Sequence, residues 1–161
     1  MVWAEVPMKG KTSLIFFENG IKINADKYIE KVLEHQMTDL NQTMFINEGF
    51  VFQQDSAPLH KANLTQQWCN EHLPGFIRHD EWPSYSPDLN PMDYFVWGYL
   101  QDTINSTMCQ NLEELKHRLV VAWGNLDLEK VRAAIKSCRK HLCMCVKEKG
   151  NCFEINEINK L

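Results

Sequence analysis

The beginning of the chain alternates between hydrophobic and polar positions, which is typical of strands. Residues 2–7 alternate and end at Pro7, and residues 12–18 are rich in β-branched and aromatic side chains. The turn dipeptide Asn19-Gly20 separates them from a third, shorter alternating run at 21–23. These patterns predict an antiparallel opening of three strands.

After this opening, helical and strand patterns alternate along the chain. Asn24 is the predicted cap of the next helix, and Leu64 and Trp68 are predicted to face inward from the helix after it. The elements predicted in this part are a helix, a buried strand, a helix and a short strand, at residues 25–40, 50–52, 59–72 and 76–78. The order predicts an α/β fold whose sheet continues in parallel.

Three further helices are predicted towards the end of the chain. The first follows Pro91 and covers about 92–104, the second follows the capping box at Asn111, and the third follows Asp127 as its cap. Their predicted inward residues are Leu115, Leu119, Trp123, Leu128, Val131, Ile135, Cys138 and Leu142.

Composition limits the class of protein. The chain has 161 residues, of which 44% are hydrophobic and 24% charged, so one domain with a real core is expected. The apolar runs are far shorter than the roughly 18 residues of a membrane span, and residues 1–30 do not resemble a signal peptide. The six cysteines are therefore interpreted as reduced thiols. We expect a protein of the nucleus or cytoplasm that is not secreted and has no membrane partner.

Positive charge is concentrated near the C-terminus. The segment 116–149 holds nine Lys/Arg and three acidic residues, so its net charge is +6. The net charge of the whole chain is −4, and the remaining residues together therefore carry −10. The net charge excludes a generally basic nucleic-acid-binding protein. The basic segment has two interpretations, a surface for a polyanion or a solvated helix face.

Two aspartates stand where carboxylates can carry chemistry. Asp55 follows the predicted buried strand 50–52, and ligands of open α/β sheets bind at the carboxyl ends of strands. Asp93 falls in the first turn of a predicted helix, where the helix dipole favours a negative charge. Structural roles stay open for both, since Asp93 can stabilise its own helix and Asp55 can bracket a turn before Ser56.

Two motifs around these aspartates resemble those of mariner-superfamily transposases. Residues 53–60 (QQDSAPLH) are similar to the second-aspartate motif of that superfamily, and residues 82–94 (WPSYSPDLNPMDY) to its third-carboxylate motif. The resemblance covers residues 1–149 in order.

The resemblance implies an α/β, RNase H-like catalytic domain with C-terminal helices. It implies Mg²⁺-dependent (or Mn²⁺-dependent) DNA cleavage and strand transfer, with Asp55 and Asp93 as catalytic residues and metal ligands. Such chemistry uses two ions roughly 3.5–4 Å apart, which activate the attacking oxygen and neutralise the leaving one. The implied partner is DNA at transposon ends, and a homodimer is left open. His60 matches a motif position without being a ligand, and is interpreted as a helix-start residue.

The sequence departs from the superfamily at the first catalytic Asp. That residue belongs to a strand upstream of residues 2–7, and Glu5, Glu18 and Asp26 do not stand in its context. The third position is Asp rather than Glu, with 37 residues between Asp55 and Asp93. We therefore expect a domain that lacks its first central strand and a fragment that is inactive as this chain. Whether it is an enzyme stays open, and the alternative is a non-catalytic nucleic-acid- or protein-binding module.

The expected organisation follows from the same resemblance. The predicted parts are a truncated RNase H-like core at 1–106, C-terminal helices of the same domain at 107–149, and a tail at 150–161.

The sequence also offers two rival sites. A late cluster of His and Cys residues suggests zinc, but Cys-x-Cys on a helix points its sulfurs about 200° apart, so reduced, partly buried thiols are favoured. The cluster consists of Cys138, His141, Cys143, Cys145 and Cys152. Trp82, Trp97 and Trp123 are candidates for stacking on bases, with packing as the favoured interpretation.

Overall fold

A computed structural model describes residues 1–46, 48–106 and 108–150 of the chain. These residues form two compact units, which are described separately. The N unit comprises 1–5 and 9–86, and the C unit comprises Val6–Met8 and the chain from Pro87 onward. The predicted parts 1–106 and 107–149 stay a prediction, and nearly all of the predicted tail lies outside the described residues.

The strands of the N unit are shorter than the alternating patterns predicted. Val2–Trp3 (β1) pairs antiparallel with Ile15–Phe16 (β2). Beyond this pair the Thr12 backbone N–H donates to the Glu5 carbonyl at 3.1 Å, so the two chains stay adjacent. The strand predicted at 21–23 is wrong. Gly20 turns the chain with a φ of 80°, and the segment after it pairs with no strand among the described residues.

One long helical region follows at 25–44. Asn24 caps it as predicted, with its Oδ1 accepting from the Lys27 N–H at 3.1 Å. The region runs past the predicted end, and two of its turns, Ile29–Leu33 and Leu40–Met44, are wide π-helical turns. The residues that it buries in the core of the N unit are Tyr28, Ile29, Val32, Leu33, Met37 and Leu40.

The two predicted parallel strands are reduced to one parallel bridge, Phe52 with Phe76. The Phe52 N–H donates to the Gly75 carbonyl, and the Phe52 carbonyl accepts from the Ile77 N–H, both at 2.9 Å. Phe52 is buried at this bridge and joins the same core as the helical region 25–44. Among the described residues, this bridge is where the backbone that leads to Asp55 pairs with another segment of the chain.

The predicted helix 59–72 is two helices, Pro58–Lys61 and Asn63–His72. Ala62 separates them with an extended ψ of 134°, and this break resets which side of the second helix faces the core. Trp68 packs on the core as predicted, but the inward prediction for Leu64 is wrong, because Leu64 is 45% exposed.

The regular structure of the C unit is helical as far as its residues are described. The Pro87–Leu89 turn leads into a wide π-helical turn at Met92–Val96, which continues as the helix Trp97–Asn105. The helices Leu112–Asn125 and Leu128–Lys147 follow. None of the helices among the described residues has the length and apolarity to cross a membrane.

Both predicted caps of the last two helices are confirmed. Asn111 Oδ1 accepts from the Glu114 N–H at 2.9 Å, and Asp127 Oδ1 accepts from the Glu129 N–H at 2.8 Å. In a capping box, the glutamate side chain accepts from the backbone N–H of the cap residue, here Asn111. The structure differs at this point, because Glu114 Oε2 accepts from the Gln110 N–H.

The last helix buries a face that the sequence prediction found only in part. Val131 is buried as predicted, whereas Leu142 is 41% exposed, so its inward prediction is wrong. The side chain buried in its place is His141, whose Nδ1 lies 2.5 Å from the Asp88 carbonyl oxygen. This polar contact therefore determines which side of the helical turn around His141 is buried.

Candidate functional site

Asp55 lies in the turn between the Phe52 bridge and the helix Pro58–Lys61. Its Oδ1 accepts from the Ala57 N–H at 2.9 Å and lies 2.6 Å from His60 Nδ1. Among the described residues, Oδ2 accepts no hydrogen bond. The bond to Ala57 is the turn-bracketing role that the sequence offered as an alternative. It uses one carboxylate oxygen and leaves the other available.

The surroundings of Asp55 keep its carboxylate ionised. The hydrogen bond from His60 lowers the pKa of Asp55, the Ala57 N–H adds to this, and partial burial opposes it. The side chain is 50% exposed, so the ionised group faces solvent. An ionised carboxylate oxygen that is open to solvent is the kind of hard ligand that Mg²⁺ and Mn²⁺ bind.

A buried tyrosine supports the residues on either side of Asp55. Tyr28 is 2% exposed, and its ring lies against the His60 ring with centroids 5.0 Å apart. Its hydroxyl oxygen accepts from Gln54 Nε2 at 2.7 Å. Gln54 precedes Asp55 and His60 follows it, so one side chain of the first helical region holds both flanks of the carboxylate.

Sequence reasoning missed these supporting residues. It predicted that His60 stands at the start of a helix, and His60 does lie in the short helix Pro58–Lys61. It did not predict the contact of His60 with Asp55. The available signal was the spacing itself, since a His in the first helical turn lies within reach of a carboxylate just before that helix. Tyr28 gave no comparable signal, because it falls on the hydrophobic stripe of its helix.

Asp93 is the second residue of the wide turn Met92–Val96 in the C unit. Its Oδ2 accepts from Asn90 Nδ2 at 2.9 Å, and its backbone N–H donates to the Asn90 carbonyl at 2.9 Å. Asn90 Oδ1 in turn accepts from the Met92 N–H at 3.1 Å. Asp93 is exposed, and its place in a first turn also fits the helix-stabilising alternative.

The last helix holds the motif around Asp93 in place. Tyr94 donates its hydroxyl hydrogen to the Ala134 carbonyl at 2.6 Å, and Cys138 Sγ lies 3.3 Å from the Leu89 carbonyl oxygen. With the contact from His141 to Asp88, these bonds fasten the backbone before Asp93 and the Tyr94 side chain after it to one helix face. Asp55 belongs to the N unit and Asp93 to the C unit, so their convergence on shared ions stays a prediction.

Glu5 is a buried carboxyl group near the start of the chain. Its Oε2 is buried and has no hydrogen-bond partner among the described residues. Burial raises the pKa of Glu5 to about 8. The group is therefore largely protonated at neutral pH, which is unfavourable for a metal ligand.

The cysteine cluster has other contacts in the structure. Cys138 and His141 are engaged with backbone carbonyls, Cys143 is exposed, and Cys152 lies outside the described residues. Within the described ranges no group of three or more His, Cys, Asp or Glu side chains is arranged to hold a metal ion. Trp82 and Trp123 are 8% and 6% exposed, which confirms packing for these two rings.

Comparison with known proteins identifies the family. Residues 4–116 match the family described as "DDE superfamily endonuclease". The transposable element Tc3 transposase of Caenorhabditis elegans is 27% identical over 156 residues, which cover 94% of this chain and 44% of that protein. The Tcb1 transposase of Caenorhabditis briggsae is 27% identical over 126 residues, covering 78% and 44%. The chain thus spans less than half of the length of these relatives.

Solved structures give the fold. The "Mos1 transposase catalytic domain and Raltegravir with Mg" superposes with a TM-score of 0.78 at 21% identity, covering 95% of this chain and 75% of that one. The predicted α/β, RNase H-like fold of a transposase catalytic domain is confirmed. The chain belongs to the DDE superfamily endonuclease family, and the resemblance to mariner-superfamily transposases is confirmed by its relatives.

Proposed function

We propose that this chain is part of a transposase catalytic domain that cleaves DNA strands and joins them with Mg²⁺ or Mn²⁺. Asp55 and Asp93 are two of its catalytic, metal-binding carboxylates. The observation that carries the proposal is the state of Asp55, which is ionised, half exposed, and held through one oxygen while the other has no partner among the described residues.

The residues present fit such ions. Both candidate ligands are carboxylates, the hard oxygen donors that Mg²⁺ and Mn²⁺ prefer. His60 and the Ala57 N–H orient Asp55 through Oδ1, and the Asn90 amide orients Asp93 through Oδ2. When bound, the ions supply activation of the attacking oxygen and neutralisation of the leaving one. This chain contributes ligand oxygens whose directions are set before an ion arrives.

The relatives support DNA as the substrate. Those named above are transposases, and the Mos1 structures include the "Mos1 mariner paired end complex with Mn", which matches with a TM-score of 0.80. DNA at transposon ends, action in the nucleus and a homodimer are the finer parts of this proposal.

Mn²⁺ binding tests the proposal directly. We expect titration of Mn²⁺ into the ¹⁵N-labelled chain to broaden amide signals around Asp55 and Asp93. Asp55→Asn or Asp93→Asn should each weaken the affinity by about tenfold or more, because a carboxamide is a far weaker ligand than a carboxylate. Asp80→Asn is the matched control, since Asp80 is an exposed aspartate of the same chain that pairs with Arg78.

The outcomes separate clearly. Broadening that survives in both variants, or that is confined to other acidic residues, contradicts the assignment of Asp55 and Asp93. A non-catalytic nucleic-acid-binding module is the second candidate function. It is favoured by four exposed cations of the last helix that form no ion pair with the described residues, namely Lys136, Arg139, Lys140 and Lys147. DNA binding with no Mn²⁺ binding would support that candidate.

A further inference from the structure

One side of the helix Leu128–Lys147 carries a line of basic side chains, which we call the basic stripe. At about 100° per residue, its members lie within an arc of about 100° on the helix. The members are Arg132, Lys136, Arg139, Lys140 and Lys147. The arc lies opposite the buried face, whose residues are Val131, Ala134, His141 and Met144. The sequence has no acidic residue between Glu129 and Glu148.

Most of the basic stripe is exposed and unpaired. Lys136, Arg139, Lys140 and Lys147 are exposed, and none of the four forms an ion pair or hydrogen bond with the described residues. Arg132 differs, because it pairs with Glu129 and donates from Nε to the Met8 carbonyl at 3.0 Å. The four unpaired cations therefore form the part of the stripe that is available to a partner.

The neighbouring helix shows what a solvated, balanced surface is like in the same unit. In Leu112–Asn125, Lys116 pairs with Glu113 and Arg118 with Glu114, at 2.7 and 2.5 Å. Those pairs stabilise a helix, whereas like charges one turn apart, such as Lys136 and Lys140, destabilise it. The last helix thus carries a repulsion that an external polyanion would relieve.

The dimensions and chemistry of the stripe suit a nucleic-acid backbone. Lys136 and Lys147 are 11 residues apart in the sequence, about 16 Å along a helix axis, which corresponds to about five base-pair steps of duplex DNA. A membrane surface fits less well, because an amphipathic helix binds lipid through its apolar face, and that face is buried here.

We propose that Lys136, Arg139, Lys140 and Lys147 bind the phosphate backbone of duplex DNA without reading its bases. The choice of DNA rests on the proposed function, while the stripe itself rests on charge and exposure. Because the whole chain is acidic, with a net charge of −4, attraction to DNA depends on such a local surface.

The test measures binding of the full chain to a fluorescent 20-base-pair duplex over a series of salt concentrations, with EDTA present. The wild type should show an affinity that falls steeply with salt. Changing the four cations together to Gln should lower the affinity at low salt by about tenfold or more. It should also reduce the slope of log K against log salt by about 0.9 for each phosphate that the variant no longer neutralises.

Lys130→Gln is the matched control, because Lys130 is exposed on the same helix but points well away from the stripe. It should leave the affinity within about twofold and the salt slope nearly unchanged. Circular dichroism and thermal melting verify that each variant keeps its fold. The proposal is overturned if the quadruple variant binds DNA like the wild type. It is also overturned if Lys130→Gln lowers the affinity by as much as the quadruple variant does for each charge removed.

Two further arms identify the partner. Anionic vesicles or a polyglutamate peptide that compete as well as duplex DNA would overturn the choice of DNA. EDTA removes divalent ions, so this experiment does not depend on Asp55 or Asp93. Absent Mn²⁺ binding with intact stripe-dependent DNA binding would contradict the metal-dependent function alone.

Discussion

Among single residues, His60 contributes most to keeping Asp55 ionised. It supplies the hydrogen bond that lowers the pKa of Asp55, and its own ring is held against buried Tyr28. We expect His60→Leu to weaken Mn²⁺ binding by about tenfold, as is usual when a residue that orients a metal ligand is removed. His60→Asn should restore much of the affinity, because its amide N–H can reach the same oxygen.

Electron paramagnetic resonance of free Mn²⁺ gives the affinities, and thermal melting separates them from loss of fold. Equal affinities for the Leu and Asn variants would show that the hydrogen bond to Asp55 has no part in metal binding.

Glu5 gives the stability of the chain a dependence on pH. Its folded-state pKa of about 8 lies above its ordinary 4.5. Between these values the folded chain holds a proton that the unfolded chain has released, so the free energy of unfolding falls as pH rises. The fall is at most about 1.4 kcal/mol per pH unit. Below pH 4.5 both states are protonated and this cost is absent.

Glu5→Gln should remove this part of the pH dependence. Thermal melts at pH 5 and 8 should show the melting temperature of the variant rising relative to wild type at the higher pH, by about 2–4 °C per kcal/mol. Glu18→Gln, a change at an exposed acid of the same unit, should leave the wild-type profile intact. Parallel profiles for wild type and Glu5→Gln would contradict the assignment.

At the scale of elements, the cap of the Leu112–Asn125 helix is a local contribution that can be measured. Asn111→Ala removes the acceptor for the Glu114 N–H and should lower the free energy of unfolding by about 0.5–2 kcal/mol. Asn111→Ser should retain most of it, because a hydroxyl oxygen can accept the same bond. Urea unfolding followed by circular dichroism measures both variants, and equal losses would contradict a capping role.

The helices were predictable from the sequence because their signals are local. Asn24, Asn111 and Asp127 each accept from a backbone N–H two or three residues ahead, which a short stretch of sequence reveals. The strands were overpredicted, because a strand needs a partner that is distant in sequence. In the described part of the chain the parallel pairing is confined to Phe52 and Phe76.

The residues of the candidate site also divide into those that the sequence predicted and those that required the structure. Asp55 and Asp93 were found through motifs that are contiguous in sequence. The groups that hold their surroundings lie far from them, since the bonded pair Gln54 and Tyr28 is separated by 26 residues and the pair His141 and Asp88 by 53. No periodicity connects such residues, so the support of the site required the structure.

For the molecule as a whole, we predict that the 161-residue polypeptide does not nick supercoiled plasmid in the presence of Mn²⁺. The sequence offers no carboxylate in the context of the first catalytic Asp, and two ions would repel each other with one fewer anion between them. An Asp55→Ala variant should behave like the wild type in this assay. Nicking that requires Asp55 would contradict the prediction and show that another acid serves in the site.

The wide turn at Met92–Val96 has a consequence for the direction in which Asp93 points. A π-helical turn holds about one residue more than an α-helical turn, so it acts as a one-residue insertion within an otherwise continuous helix. Each residue advances a helix by about 100°, and the turn therefore sets the angular phase between Asp93 and the buried Leu100 further along. Deleting one residue here would swing the carboxylate by about a quarter turn while the helix behind it stays packed.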